Sequence, residues 1–184
     1  MMTIRQETST DVPAREALLD ACFGEERFRK TCERLREGRR PADGLSLTLE
    51  DEGNLVGTVR LWGVSAGPNR PALLLGPIAI HPSLQGLGLG SKLMRVALGR
   101  AAALGHEAVL LVGDAPYYDR FGFSTDVTES LWLPGPYERE RFVGLELRPG
   151  ALAGAHGLVA AIGVPIMAPA RPDIAARFRR SAAA

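Results

Sequence analysis

The sequence predicts an α/β domain with a mixed, mostly antiparallel central sheet flanked by helices. Three observations carry that expectation. Leu45, Leu47 and Leu49 alternate with polar residues, the period of a half-buried strand, and Asp51-Glu52-Gly53-Asn54 then turns the chain back into Leu55 to Val64. The apolar run Leu73 to Ile80 feeds a glycine-rich loop and a helix-like continuation. A second apolar run, His106 to Val112, has the alanine, valine and leucine content of a buried strand.

In chain order, Thr3 to Gln6 reads as a first strand. Ser9-Thr10-Asp11 offers helix-capping side chains and Pro13 suits a first helical turn. Ala14, Ala17, Leu18, Ala21 and Cys22 recur at helical spacing through Phe23, and Gly24 ends that helix. A second helix is expected over Glu25 to Glu37, with Phe28, Cys32 and Leu35 on one stripe. Gly67-Pro68-Asn69-Arg70-Pro71 is a loop. Ser91 to Leu104 is the helix after the glycine loop; it buries Leu93, Met94, Ala97, Leu98 and Ala101 and stops at Gly105. Leu131 to Pro136 marks a loop, and Arg141 to Arg148 alternates like a late strand. From Pro149 onward the chain is rich in Ala, Gly and Pro. Its one apolar run, Leu158 to Val164, suits an edge strand, and Ala168 to Ala184 reads as a loosely held tail. The expected organisation is one domain over residues 1–148 and a C-terminal extension over 149–184.

Composition bounds the function. A chain of 184 residues buries roughly 70% of its unfolded surface, so it needs no disulfide or metal staple. The formal net charge of +1 argues against a general polyanion binder, and no nucleic-acid partner is expected. Cys22 and Cys32 have neither redox nor metal-ligand spacing, and the three histidines are scattered, so no metal site is expected. No apolar run reaches the ~18 residues of a membrane span and Met1 to Glu7 lacks a signal core, so a cytoplasmic chain without membrane association is expected.

The chemistry is concentrated in Gln85-Gly86-Leu87-Gly88-Leu89-Gly90-Ser91. Glycines between a strand and a helix leave backbone N–H groups free to converge, with the positive end of the helix dipole behind them. That is an anion cradle, and a phosphate-bearing cofactor is its natural occupant. The nucleoside-triphosphatase loop is excluded because Ser91 separates Gly90 from Lys92, and Gly86-x-Gly88-x-Gly90 has the wrong spacing for a dinucleotide fingerprint. Gln85-x-x-Gly88-x-Gly90 instead resembles the pyrophosphate loop of the GNAT acetyltransferase superfamily. About thirty residues on, Tyr118-x-x-x-Gly122-Phe123 resembles the next motif of that family. The likeness covers residues 3 to 148, and the order of elements is that of the GNAT fold.

The resemblance implies acetyl-CoA as co-substrate and transfer of its acetyl group to a primary amine: a small molecule, a peptide N-terminus or a lysine. It further implies a β-bulge before the loop, where the backbones of Ile78, Ala79 and Ile80 hold the pantetheine arm and polarise the thioester carbonyl. The N–H groups from Gln85 to Gly90 hold the pyrophosphate, and Ser91 opens the helix. Tyr118 is the expected general acid, with Tyr117 its neighbour and competitor. Asp114 stands where many members carry Asn and is counted with the cofactor-binding residues. Many relatives use a strand Glu as general base. Leu73, Leu74, Leu75, Gly76 and Pro77 occupy those positions here, so Asp114, His81 and a water chain stay open. Trp62, Trp132 and Tyr137 are candidates to line the acceptor pocket. Family members are often dimers, so a homodimer is among the expected assemblies. A second functional class also stands: an acyl-CoA-binding sensor or scaffold with little catalysis.

Overall fold

The computed structural model describes residues 1–166; the tail expected at Ala168 to Ala184 lies outside them. Eight strands and three α-helices follow one another in the order β1 (Met2–Gln6), α1 (Val12–Phe23), β2 (Ser46–Asp51), β3 (Asn54–Ala66), β4 (Pro71–Ile80), α2 (Leu89–Ala103), β5 (Ala108–Val112), α3 (Ala115–Asp119), β6 (Leu131–Trp132), β7 (Phe142–Glu146) and β8 (Gly157–Ala161). The main sheet runs β1-β2-β3-β4-β5-β7, and β8 pairs with both β3 and β6. Pairing is antiparallel except for β4 with β5 and β6 with β8. The mixed, mostly antiparallel sheet is therefore as expected. No helix among the described residues is long and apolar enough to cross a membrane.

Side-chain alternation explains why β4 and β5 read as unbroken apolar runs. Leu73, Leu75, Val109 and Leu111 enter one core with Leu93, Met94, Ala97 and Ala101 of α2. Leu74, Ala108 and Leu110 enter a second core on the opposite face, with Trp62, Val64 and Phe142. Both faces are covered, so no polar position is needed. Each fully buried Leu contributes about 1.5–3 kcal/mol of transfer free energy. The second core also takes Leu152, Ala155 and Val159, which lie beyond residue 148. At the β2–β3 hairpin, Glu52 (φ 49°) and Gly53 (φ 82°) both adopt positive φ, the geometry a two-residue hairpin turn requires.

Four local expectations are corrected. The helix expected over Glu25 to Glu37 is instead two 3-10 segments, Glu25–Arg29 and Thr31–Leu35, separated by Lys30 in an extended conformation. Phe28 is consequently exposed while Leu35 is buried, so the single stripe does not form. Helix α2 begins at Leu89, two residues before Ser91, with Gly88 as its N-cap in the left-handed region (φ 76°). Leu131 and Trp132, expected in a loop, pair with Gly157 and Leu158. The apolar run expected as a final edge strand forms β8 between β3 and β6.

The entry to α1 is fastened to β1 by charge. The Asp11 carboxylate accepts both terminal nitrogens of Arg5 at 2.7 Å, the Thr8 N–H at 2.6 Å and the Thr8 hydroxyl at 2.9 Å. These donors, Arg5 first, hold the carboxyl below the usual carboxylate range. Its stabilising contribution is complete above the unfolded-state value near ~4 and is lost as pH falls through the depressed folded value. Asp11→Ala is expected to lower unfolding free energy by about 2 kcal/mol at pH 7. Denaturant titrations should show the gap between wild type and variant shrinking only below about pH 4.

Candidate functional site

The site begins where β4 leaves β5. These strands pair only at Leu73 with Val109 and Leu74 with Leu110. Past them, β4 carries a bulge against β3. Val59 pairs Ile78 and Leu61 pairs Leu75, so Arg60 alone faces Gly76 and Pro77. The buried Trp62 Nε1 donates to the Gly76 carbonyl at 2.6 Å and so holds the bulge from beneath. The extra residue bends β4 away, and a cleft opens between the C-terminal halves of the two parallel strands. Ligands bind in such a position because the sheet edge there leaves backbone groups unpaired.

On one side of the cleft is a cradle of about 390 Å³. Ile78, Ala79 and Ile80 of β4 form one wall, and Gln85, Gly86, Gly88, Leu89, Gly90 and Ser91 the other. Of the residues expected around the pyrophosphate, Leu87 does not line it and points to solvent, 65% exposed. The first helical bond of α2 runs from the Lys92 N–H to the Gly88 carbonyl at 3.0 Å. The N–H groups of Leu89, Gly90 and Ser91 therefore have no partner within the helix. A Cβ built on Gly86 or Gly88 meets no atom of the described residues within 4 Å, so none of them fills the space beside these glycines. The cradle thus offers free donors, a helix N-terminus and room, which fits a phosphate group. Its rim is rigid: the Ile80 carbonyl accepts Gln85 Nε2 at 3.1 Å and the Cys22 thiol at 3.3 Å. Burial raises the Cys22 pKa, which keeps that sulfur protonated and able to donate.

On the other side lies a larger cavity of about 630 Å³. Leu75 to Ile78 and Leu111 to Asp114 form its floor. The 3-10 segments around Lys30 to Arg36 form one wall, and Pro136 to Arg141 the other. Thr31 Oγ1 donates to the Pro136 carbonyl, and Arg34 donates to the Pro134 carbonyl at 2.7 Å, which ties the walls together. Cradle and cavity share Ile78, Tyr117 and Tyr118.

Tyr118 thus stands at the junction. Helix α3 carries it, the Asp114 carbonyl accepts its N–H at 3.1 Å, and its ring packs edge-on to Tyr117 and Phe123. The ring also lies over Gly113, where an added Cβ would come within 2.2 Å of Cε2. Burial, then the Tyr117 and Asp114 charges, raise its pKa, while Arg141 opposes. The phenol therefore stays protonated above its ordinary range. Tyr117 also borders both spaces, with its hydroxyl turned to the cradle side, 3.3 Å from Ser91 Oγ.

Asp114, expected beside the cofactor loop, lines the larger cavity and not the cradle. His81 lines neither; its Nδ1 accepts the Ser83 N–H at 3.3 Å and caps a short turn. Trp62 is packed beneath the bulge, Trp132 is exposed on β6, and Tyr137 alone of the three lines the larger cavity. Sequence reasoning missed Gly113, Lys30, Glu33, Arg36, Glu138 and Arg141, all at the larger cavity. The available signal was the charge distribution of Glu25 to Glu37, which leaves no clean apolar face for a continuous helix.

Residues 12–123 match the family model described as Acetyltransferase (GNAT) family. The chain is 32% identical over 159 residues to the uncharacterized N-acetyltransferase YhbS of Escherichia coli K12, covering 86% of this chain and 95% of that protein. In the crystal structure of Escherichia coli YhbS in complex with CoA, the likeness has a TM-score of 0.74 at 29% identity, over 90% of this chain and 96% of that one. A GNAT family acetyltransferase from Brucella melitensis in complex with acetyl-CoA gives 0.63 at 27% identity, over 81% and 90%.

Proposed function

This chain belongs to the GNAT family of N-acetyltransferases, and from that premise we propose that it transfers an acetyl group from acetyl-CoA to a primary amine. One observation carries the reading: an anion cradle and a separate cavity of small-ligand size meet at a half-buried tyrosine, Tyr118. The co-substrate supplies an activated acetyl thioester. The donors of Leu89, Gly90 and Ser91, with Gln85, Gly86 and Gly88 around them, would hold its pyrophosphate. The backbone of Ile78 to Ile80 would hold the arm and polarise the carbonyl, a preorganised contribution on the order of a few kcal/mol. Tyr118 would protonate the departing thiolate. Asp114 faces the same cavity and acts electrostatically on Tyr118, which makes it the carboxylate best placed to take the proton from the amine. The two free cysteines, Cys22 and Cys32, suit the reducing cytoplasm expected for such an enzyme.

Gly113→Ala tests the seat of the acid. The new methyl displaces the Tyr118 ring, so kcat is expected to fall about ten-fold or more while acetyl-CoA affinity stays near wild type. Calorimetric titration with acetyl-CoA, CoA and NAD, followed by an amine screen, tests the whole reading. Micromolar acetyl-CoA binding without NAD binding is the expected result, and failure of every CoA species to bind would overturn it. The alternative, an acyl-CoA-binding module, is favoured by the absence of a carboxylate from Leu73 to Pro77. Tight acetyl-CoA binding with no amine acetylated is the outcome that would select it.

A further inference from the structure

On the acetyl-transfer reading above, we infer that the acceptor is a small primary amine that also carries an oxyanion, and that Arg36 and Lys30 bind that oxyanion. The cavity has the volume of a small-molecule site and is walled by side chains on two sides. Its cations are not equivalent. Arg27 is already neutralised by Glu16 and by Asp20, whose Oδ1 lies 3.0 Å from its Nε. Arg141 makes contacts of the same kind as Arg36, its Nε donating to the Gly113 carbonyl at 3.4 Å and its Nη1 lying 3.8 Å from Glu138, but its side chain is 48% exposed and its charge acts on Tyr118 at the reacting end.

Arg36 differs. Its Nε is anchored on the Cys32 carbonyl at 3.1 Å, and its side chain is only 11% exposed. The nearest carboxylate oxygen, on Glu33, is 3.8 Å from Nη1, beyond hydrogen-bond distance. The two terminal nitrogens thus have no hydrogen-bond acceptor among the described residues, and the residue lines the cavity. Lys30 lines the same wall with no carboxylate within 4.0 Å among the described residues, its Nζ 5.1 Å from the Phe23 ring centroid. Burial raises the pKa of Cys32, which lines the same cavity between them in sequence, and both charges oppose that rise.

With Glu33 included, this wall keeps one net positive charge. A nearly buried guanidinium whose fork lacks an acceptor gains most from a carboxylate or phosphate, which takes two parallel hydrogen bonds. The anchored Nε fixes the fork in advance, so little ordering opposes binding. The floor of the cavity carries Asp114 beside Tyr118, where an ammonium is attracted and then deprotonated. An occupant with both an amine and an oxyanion satisfies the floor and this wall together.

The test is an acceptor screen with acetyl-CoA in three arms: amino carboxylic acids, aminoalkyl phosphonates, and their neutral amide or alkylamine counterparts. CoA release and product mass are read, with acetyl-CoA affinity measured separately by calorimetry. At least one oxyanion arm is expected to exceed its neutral counterpart by about ten-fold or more in kcat/KM. Arg36→Gln should remove that preference mainly through KM, Arg36→Lys should restore part of it, and Lys30→Gln should weaken it if Arg36→Gln does not fold. Acetyl-CoA affinity should be unchanged in all three. Equal or better use of neutral amines, use of peptide N-termini only, no acetylation in either oxyanion arm, or a preference that survives both Gln variants would overturn the substrate class. Loss of acetyl-CoA binding by the wild type is a different failure, because it removes the acetyl-transfer reading itself.

Discussion

Tyr118→Phe is expected to lower kcat by about 10²- to 10⁴-fold, the range for loss of a positioned general acid. Acetyl-CoA affinity should stay within about two-fold, because the ring and its contacts with Tyr117 and Phe123 remain. A phenol with reference pKa ~10 is a weaker acid than a thiol at ~8.5, so this proton transfer is uphill by about 2 kcal/mol between the free groups and depends on Tyr118 being positioned against the developing thiolate. Burial and the neighbouring Asp114 push the Tyr118 pKa up further, which keeps the proton in place until it is needed. The sign follows: Tyr118 works in its protonated form, so activity that depends on it is retained as pH rises and is lost only above the ordinary tyrosine range. A kcat profile that already falls as pH rises towards about 9 in the wild type, and not in Tyr118→Phe, would mean that Tyr118 loses its proton below its ordinary range and would overturn that sign. Turnover within about three-fold of wild type in the Phe variant would remove Tyr118 from the chemistry.

Gly88→Val carries the second large effect, on binding. Gly88 sits at φ 76° as the N-cap of α2, and a β-branched residue in that region is strained by about 1–2 kcal/mol. No atom of the described residues lies within 4 Å of the added Cβ, so the fold accommodates it and only modest destabilisation is expected. The side chain instead enters the space proposed for the pyrophosphate. Acetyl-CoA affinity should fall about 100-fold, or about 3 kcal/mol, in calorimetric titration, while thermal melting moves by a few degrees. Wild-type affinity in this variant would mean the anion is held elsewhere.

The motifs were legible because their chemistry is local. Gln85 to Ser91 needs only a strand before it and a helix after it to become a cradle, and both are written in adjacent residues. Tyr118 was legible for the same reason, since α3 and the turn at Gly122 are contiguous with it. The acceptor cavity was not. Its walls come from Lys30 to Arg36 and from Pro136 to Arg141, which meet only because Thr31 and Arg34 bond the Pro134-Gly135-Pro136 turn from about a hundred residues away. The expected helix over Glu25 to Glu37 failed because tertiary contacts with that turn replaced an apolar stripe that Phe28 could not complete.

By itself, the sequence determined that the sheet is mixed and mostly antiparallel, where most of its strands lie, and the glycine loop that leads into α2, because alternation, hairpin turns and helix starts act within a few residues. Tertiary structure alone decided which charges face the acceptor. It put Asp114 in the larger cavity, turned His81 outward onto Ser83, and left the Arg36 fork without an acceptor among the described residues. Burial and partner distance govern those outcomes, and both are properties of residues brought together across the fold.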